Sequence, residues 1–86
     1  MLKLRMEITN PTGLHTRPGT EFVRLAKTFE SSVEIQKGDK TANAKSLIKM
    51  LKIGISQGDV IEITAEGPDE EQALAGLRDY IANLKD

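Results

Sequence analysis

The residues of this 86-residue chain that could do chemistry gather in one stretch, Asn10-Pro11-Thr12-Gly13-Leu14-His15-Thr16-Arg17-Pro18-Gly19. His15 is the only histidine, and its imidazole is a nitrogen nucleophile. Two residues on, Arg17 offers a permanently charged planar fork that matches the oxygens of a phosphoryl group. A helical pattern begins at Thr16, so both side chains stand at a helix mouth, where backbone N–H groups point toward a bound anion. Thr16 and Arg17 supply those amides, and Pro18, which has none, suits a first turn. The pattern reads as an anion site with a nucleophile in it. The plainer alternative is a loop histidine donating to a nearby carbonyl, beside a solvated arginine.

Other chemistries find little support. Without cysteine there is no thiol catalysis, disulfide or cysteine-ligated metal. Neither a second histidine nor a cluster of carboxylates accompanies His15, which argues against a metal site. No GxxxxGK[ST] cradle is present, so no cofactor is expected and a phosphoryl donor would have to be another molecule. A net charge of -1 and only three aromatic residues, Phe22, Phe29 and Tyr80, argue against nucleic-acid binding. Met1 opens directly into an alternating pattern, with no leader and no spanning run, so the expectation is a cytoplasmic protein without stable membrane association.

The elements that must position these residues follow from periodicity. Residues 2–9 alternate, with Leu2, Leu4, Met6 and Ile8 on one face of a strand. From Thr16 the spacing becomes helical, and Phe22, Leu25, Ala26 and Phe29 form a stripe opposite Arg17, Glu21, Arg24 and Thr28. Residues 32–37 and 41–44 read as a hairpin around Lys37-Gly38-Asp39-Lys40, its second strand weak and at an edge. Ser46 suits the N-cap of a two-turn helix, Leu47 to Ile53, stopped by Gly54. Residues 60–66 form a strong strand with Ile61, Ile63 and Ala65 inward. Asp69, Glu70 and Glu71 open a last helix whose stripe is Ala73, Leu77, Tyr80, Ile81 and Leu84. The order β-α-β-β-α-β-α, with strands apolar on one side only, predicts an α+β open-faced sandwich. Its four-stranded antiparallel sheet carries three helices on one face, in one domain spanning 1–86.

The short helix bears a second candidate surface. Leu47, Ile48, Met50 and Leu51 cover too wide an arc for two turns to bury at once, which leaves either an apolar docking patch or a fully packed helix. Arg24 and Lys27 offer a basic patch, with solvated surface as the alternative. Ser46 is most simply a cap, although a phosphate would also sit favourably there.

Gly13-Leu14-His15-Thr16-Arg17-Pro18, followed some thirty residues on by Lys45-Ser46-Leu47, resembles the HPr family, the histidine-containing phosphocarriers of the bacterial sugar phosphotransferase system. The resemblance extends through Gly54-Ile55-Ser56-Gln57-Gly58 to the acidic start of the last helix. It implies a carrier and not an enzyme. His15 would accept a phosphoryl group on Nδ1 from phospho-enzyme I, itself charged by phosphoenolpyruvate, and hand it to an IIA component of a sugar permease. Arg17 would neutralise phosphoryl charge. The docking surface would comprise Thr20, Glu21, Arg24 and Lys27 of the first helix with Leu47, Ile48, Lys49 and Leu51 of the second. Ser46 matches a regulatory serine, so a Ser46 kinase or regulatory proteins are further candidate partners, and a monomer is expected. Relatives serving nitrogen, fructose or dihydroxyacetone relays share this pattern. An adaptor that leaves His15 unmodified is the alternative from another class. The family usually carries Ala where this chain has Gly19, which is expected to loosen the first helix by about 0.5–1 kcal/mol.

Overall fold

The computed structural model describes residues 1–85. Seven elements follow in the expected order: β1 (Leu2–Glu7), α1 (Thr16–Lys27), β2 (Ser32–Lys37), β3 (Lys40–Asn43), α2 (Leu47–Ile53), β4 (Val60–Glu66) and α3 (Glu70–Ala82). The strands form one antiparallel sheet in the order β1-β4-β2-β3. The last strand in sequence therefore lies inside the sheet, and the first lies at an edge.

Register explains why the sheet has one apolar face. Leu4, Ile63, Ile35 and Ala42 stand directly opposite one another across the four strands. The neighbouring row, Arg5, Glu62, Gln36 and Thr41, is polar throughout and faces away from the helices. Three helices cover the apolar side. Phe22 of α1, Met50 of α2 and Leu77 of α3 are fully buried there with Ile61 and Ile63. Truncating a buried phenylalanine costs about 3–5 kcal/mol, so Phe22 anchors α1 from its centre and fixes where its N-terminus lies.

Boundaries and inward positions differ from the periodicity in several places, and β3 runs Lys40–Asn43, one residue earlier than the expected 41–44. β1 ends at Glu7, and Ile8 is instead buried by a turn in which its N–H donates to Asp59 O at 2.8 Å. Leu2 is exposed because its strand is an edge. In α1 the helix stops at Lys27, so Phe29 lies beyond it and is only half-buried, while Val23 takes a core position. In α3, Leu74 is buried, and Leu84 follows the helix end. α2 matches its sequence reading: the Lys49 N–H donates to Ser46 Oγ at 3.4 Å, and Gly54 closes the helix in the left-handed region. No helix among the described residues is long and apolar enough to cross a membrane.

Gly19 corrects an expectation. It is buried in α1, and a Cβ added there would lie 2.5 Å from the Leu14 carbonyl oxygen. Here glycine lets the helix close against the loop that precedes it. A side chain at this position would meet the Leu14 carbonyl, so the comparison with alanine by helix propensity alone does not apply.

Candidate functional site

His15 ends a loop that is pinned at both ends of its turn. Asn10, buried, donates from Nδ2 to Gly13 O at 2.8 Å, and the Gly13 N–H returns to Asn10 O at 3.2 Å. Leu14 is a buried plug whose N–H donates to Ile55 O at 3.0 Å. The chain then runs extended through His15 (φ -102°, ψ 161°), the N-cap of α1, whose side chain makes no capping hydrogen bond. Thr16 turns the chain into the helix with φ +50°, the only positive φ at a non-glycine among the described residues. For a β-branched residue that conformation costs about 1–2 kcal/mol, so backbone strain sits beside the imidazole.

The ring is half-buried and has one hydrogen-bond partner among the described residues: His15 Nε2 lies 3.2 Å from Ser56 Oγ. Ser56 belongs to the loop between α2 and β4, and that loop is itself strapped down. Asp59 Oδ2 accepts the Ser56 N–H at 2.7 Å and the Lys37 ammonium at 2.9 Å. Lys37 also donates to Gly54 O at 2.8 Å, and Gln57 Nε2 donates to Thr9 O at 3.1 Å. The Lys37 hydrogen bond and then the Ser56 amide hold the Asp59 carboxyl below the usual carboxylate range, and a charged His15 adds to this. Two loops whose contacting residues, His15 and Ser56, are 41 positions apart in sequence thus meet at the imidazole.

Arg17 lies on the first turn of α1, its side chain 62% exposed, with Nη1 3.4 Å from Glu21 Oε2. The other Glu21 oxygen is 2.6 Å from the Tyr80 hydroxyl, which also lies 3.3 Å from Pro18 O. The Tyr80 bond, with Arg17 and Arg24 behind it, keeps the Glu21 carboxyl below its ordinary range. Burial and Glu21 push the Tyr80 phenol up. Tyr80 therefore ties α3 to the first turn of α1 and holds the carboxylate that Arg17 pairs with. An exposed ion pair at i,i+4 is weak, so a dianion at the helix mouth can replace it.

The remaining sequence-nominated residues lie along α1 and α2. Arg24 and Lys27 are exposed, and Thr20, half-buried, donates its hydroxyl to Thr16 O at 3.1 Å. On α2, Ile48 is 70% and Leu51 42% exposed, Lys49 is exposed and Leu47 is half-buried, while Met50 and Ile53 point into the core. Leu51 Cδ2 would stand 3.8 Å from a Cβ at Gly19, so the apolar surface of α2 continues onto the first turns of α1. Ser46 is half-buried and acts as a cap. Sequence reasoning did not nominate Ser56, Asp59, Lys37 or Tyr80 for the site. Ser56 was visible only as part of a resembling segment, and the other three carry no local signal.

Comparison with known proteins is consistent along the chain. The family model for the PTS HPr component phosphorylation site matches residues 2–83. The phosphocarrier protein HPr of Buchnera aphidicola subsp. Acyrthosiphon pisum (strain APS) is 46% identical over 85 residues, covering 99% of this chain and 100% of that protein. The phosphocarrier protein HPr of Haemophilus influenzae is 42% identical over 80 residues, covering 93% of this chain and 94% of that protein. Among solved structures, HPr-C-His from Thermoanaerobacter tengcongensis superposes with a TM-score of 0.94 at 44% identity, covering 95% of this chain and 92% of that chain.

Proposed function

Because the chain belongs to the HPr family of phosphocarriers of the phosphotransferase system, we propose that His15 is its phosphoacceptor and Arg17 the residue that neutralises the transferred charge. The donor is phospho-enzyme I and the acceptor an IIA component of a sugar permease, met in turn by a monomer, one domain over residues 1–86, in the cytoplasm. The observation that carries the reading is the state of the ring. Nε2 faces Ser56 Oγ at 3.2 Å, the side chain does not cap its own helix, and Nδ1 is left without a hydrogen bond among the described residues.

Transfer then needs few parts. The Nδ1 lone pair attacks the phosphorus of the donor's phosphohistidine, forming one N–P bond as the donor's breaks, and the released electron pair returns to the donor imidazole. Charge on the moving phosphoryl oxygens falls where the amides of Thr16 and Arg17 and the positive end of α1 lie. The Arg17 guanidinium can leave Glu21 to meet them. The exposed Ile48 and Leu51, flanked by Lys49, Arg24 and Lys27, form a small apolar and basic docking surface with Leu47 and Thr20 at its margin. A surface of that kind suits brief complexes with acidic-rimmed partners.

The test is incubation with enzyme I and phosphoenolpyruvate, followed by intact-mass measurement. One acid-labile, base-stable phosphate is expected on the chain and none on His15→Ala. A His15→Ala chain that still takes up phosphate would move the site elsewhere.

A further inference from the structure

Among the described residues, the side chain that hydrogen-bonds the imidazole is Ser56. Its place depends on a strap unrelated to the helix mouth: Asp59 receives the Ser56 amide, and Lys37 from the end of β2 joins Asp59 to Gly54 O. Resting on the reading of His15 as phosphoacceptor, we propose that Ser56 is a positioning residue for phosphoryl transfer. Its oxygen accepts the Nε2–H of His15 and so holds the ring as the tautomer with a bare Nδ1 lone pair.

Two features support this direction of the hydrogen bond. On the Ser56 side of the ring lies the Asp59 carboxylate, which favours a proton at Nε2. The N-terminal end of α1, at which His15 is the cap, carries positive potential, which favours a lone pair rather than an N–H facing it. There is also a reason the bond helps the reaction itself. When Nδ1 gives up its lone pair, positive charge spreads over the ring, and the Nε2–H···Oγ bond changes from a neutral to a charge-assisted one. An interaction that strengthens on the way to the transition state raises the rate of transfer without tightening docking. The gain between the two kinds of bond corresponds to about fivefold in rate.

Three variants test the idea: Ser56→Ala, Ser56→Thr and His15→Ala. Ser56 is exposed, and a thermal melt of each variant confirms folding. Long-range 1H–15N spectra of the neutral imidazole report the tautomer directly, and single-turnover phosphorylation by phospho-enzyme I reports the step. Wild type should show Nδ1 as the unprotonated nitrogen. Ser56→Ala should give mixed tautomers and about fivefold slower transfer at saturating donor, with the half-saturating concentration unchanged, and Ser56→Thr should restore both. An Nδ1–H tautomer in the wild type, or a Ser56→Ala chain with unaltered tautomer and rate, would overturn the role of Ser56 while leaving His15 as acceptor. Undiminished phosphorylation of His15→Ala would instead overturn the acceptor assignment on which this rests.

Discussion

Replacing Gly13 with alanine probes how tightly the two loops that meet at His15 must pack. Gly13 has φ +62°, a conformation that costs an alanine about 1–2 kcal/mol. Its added Cβ would also overlap the Ile55 carbonyl oxygen and lie 2.8 Å from Ser56 Cα. Both neighbours are backbone, so neither can rotate away. Relief requires the Ile55–Ser56 segment to retreat, which breaks the Leu14 N–H bond to that same carbonyl, worth about 1 kcal/mol. With the overpacking term of about 1–3 kcal/mol, the loss comes to about 3–6 kcal/mol. At about 4–8 °C per kcal/mol for a domain of this size, the melting temperature should fall by more than about 12 °C. Gly38 in the β2–β3 turn is the control. Its φ is +61°, yet nothing lies within 4 Å of its Cβ position, so Gly38→Ala incurs the conformational cost alone. Differential scanning calorimetry on both variants separates the two contributions. Equal losses in Gly13→Ala and Gly38→Ala would refute the claim that contact between the loops matters.

Two further outcomes are expected. Asp69 accepts the Glu30 and Ser31 amides, each at 2.8 Å, and the Ser31 hydroxyl at 2.5 Å; the hydroxyl bond first, then the amides, lower its carboxyl from the ordinary value. A depressed folded-state value stabilises the fold above the unfolded carboxyl's range near pH 4 and loses that effect as pH falls through the folded value. Asp69→Asn should therefore melt lower at pH 7 and decline less steeply below about pH 4; parallel melting curves for the two proteins would contradict this. Ile48→Glu, at a side chain 70% exposed, should shift stability by no more than about 0.5 kcal/mol while weakening binding to enzyme I in titration calorimetry. A collapse in melting temperature would make Ile48 part of the core.

Much of this was legible locally. Alternation and helical spacing depend on which face of an element meets water, so the seven elements, their order and the inward positions Ile61, Ile63, Ala65, Phe22 and Leu77 could be read from neighbours along the chain. His15, Arg17 and the Ser46 cap were readable for the same reason, because helix starts are local events governed by the first turn. The C-terminal ends of α1 and α3 were not. Phe29 and Leu84 continue their stripes in sequence, yet the helices stop before them.

What surrounds His15 was a tertiary matter. Ser56 is 41 residues from His15 and Tyr80 is 59 from Glu21, and no pattern within one element relates them. Folding the sheet as β1-β4-β2-β3 brings the loop before β4 against the end of β1, and only then do Ser56, Asp59 and Lys37 reach the imidazole side. Gly19 shows the same division. By helix propensity it is a weak residue, but the structure gives it a packing task, because the Leu14 carbonyl arrives 2.5 Å from where a side chain would begin. Local sequence determined which residue could act as nucleophile and where its helix starts. The packing of distant segments determined which nitrogen of that nucleophile is engaged.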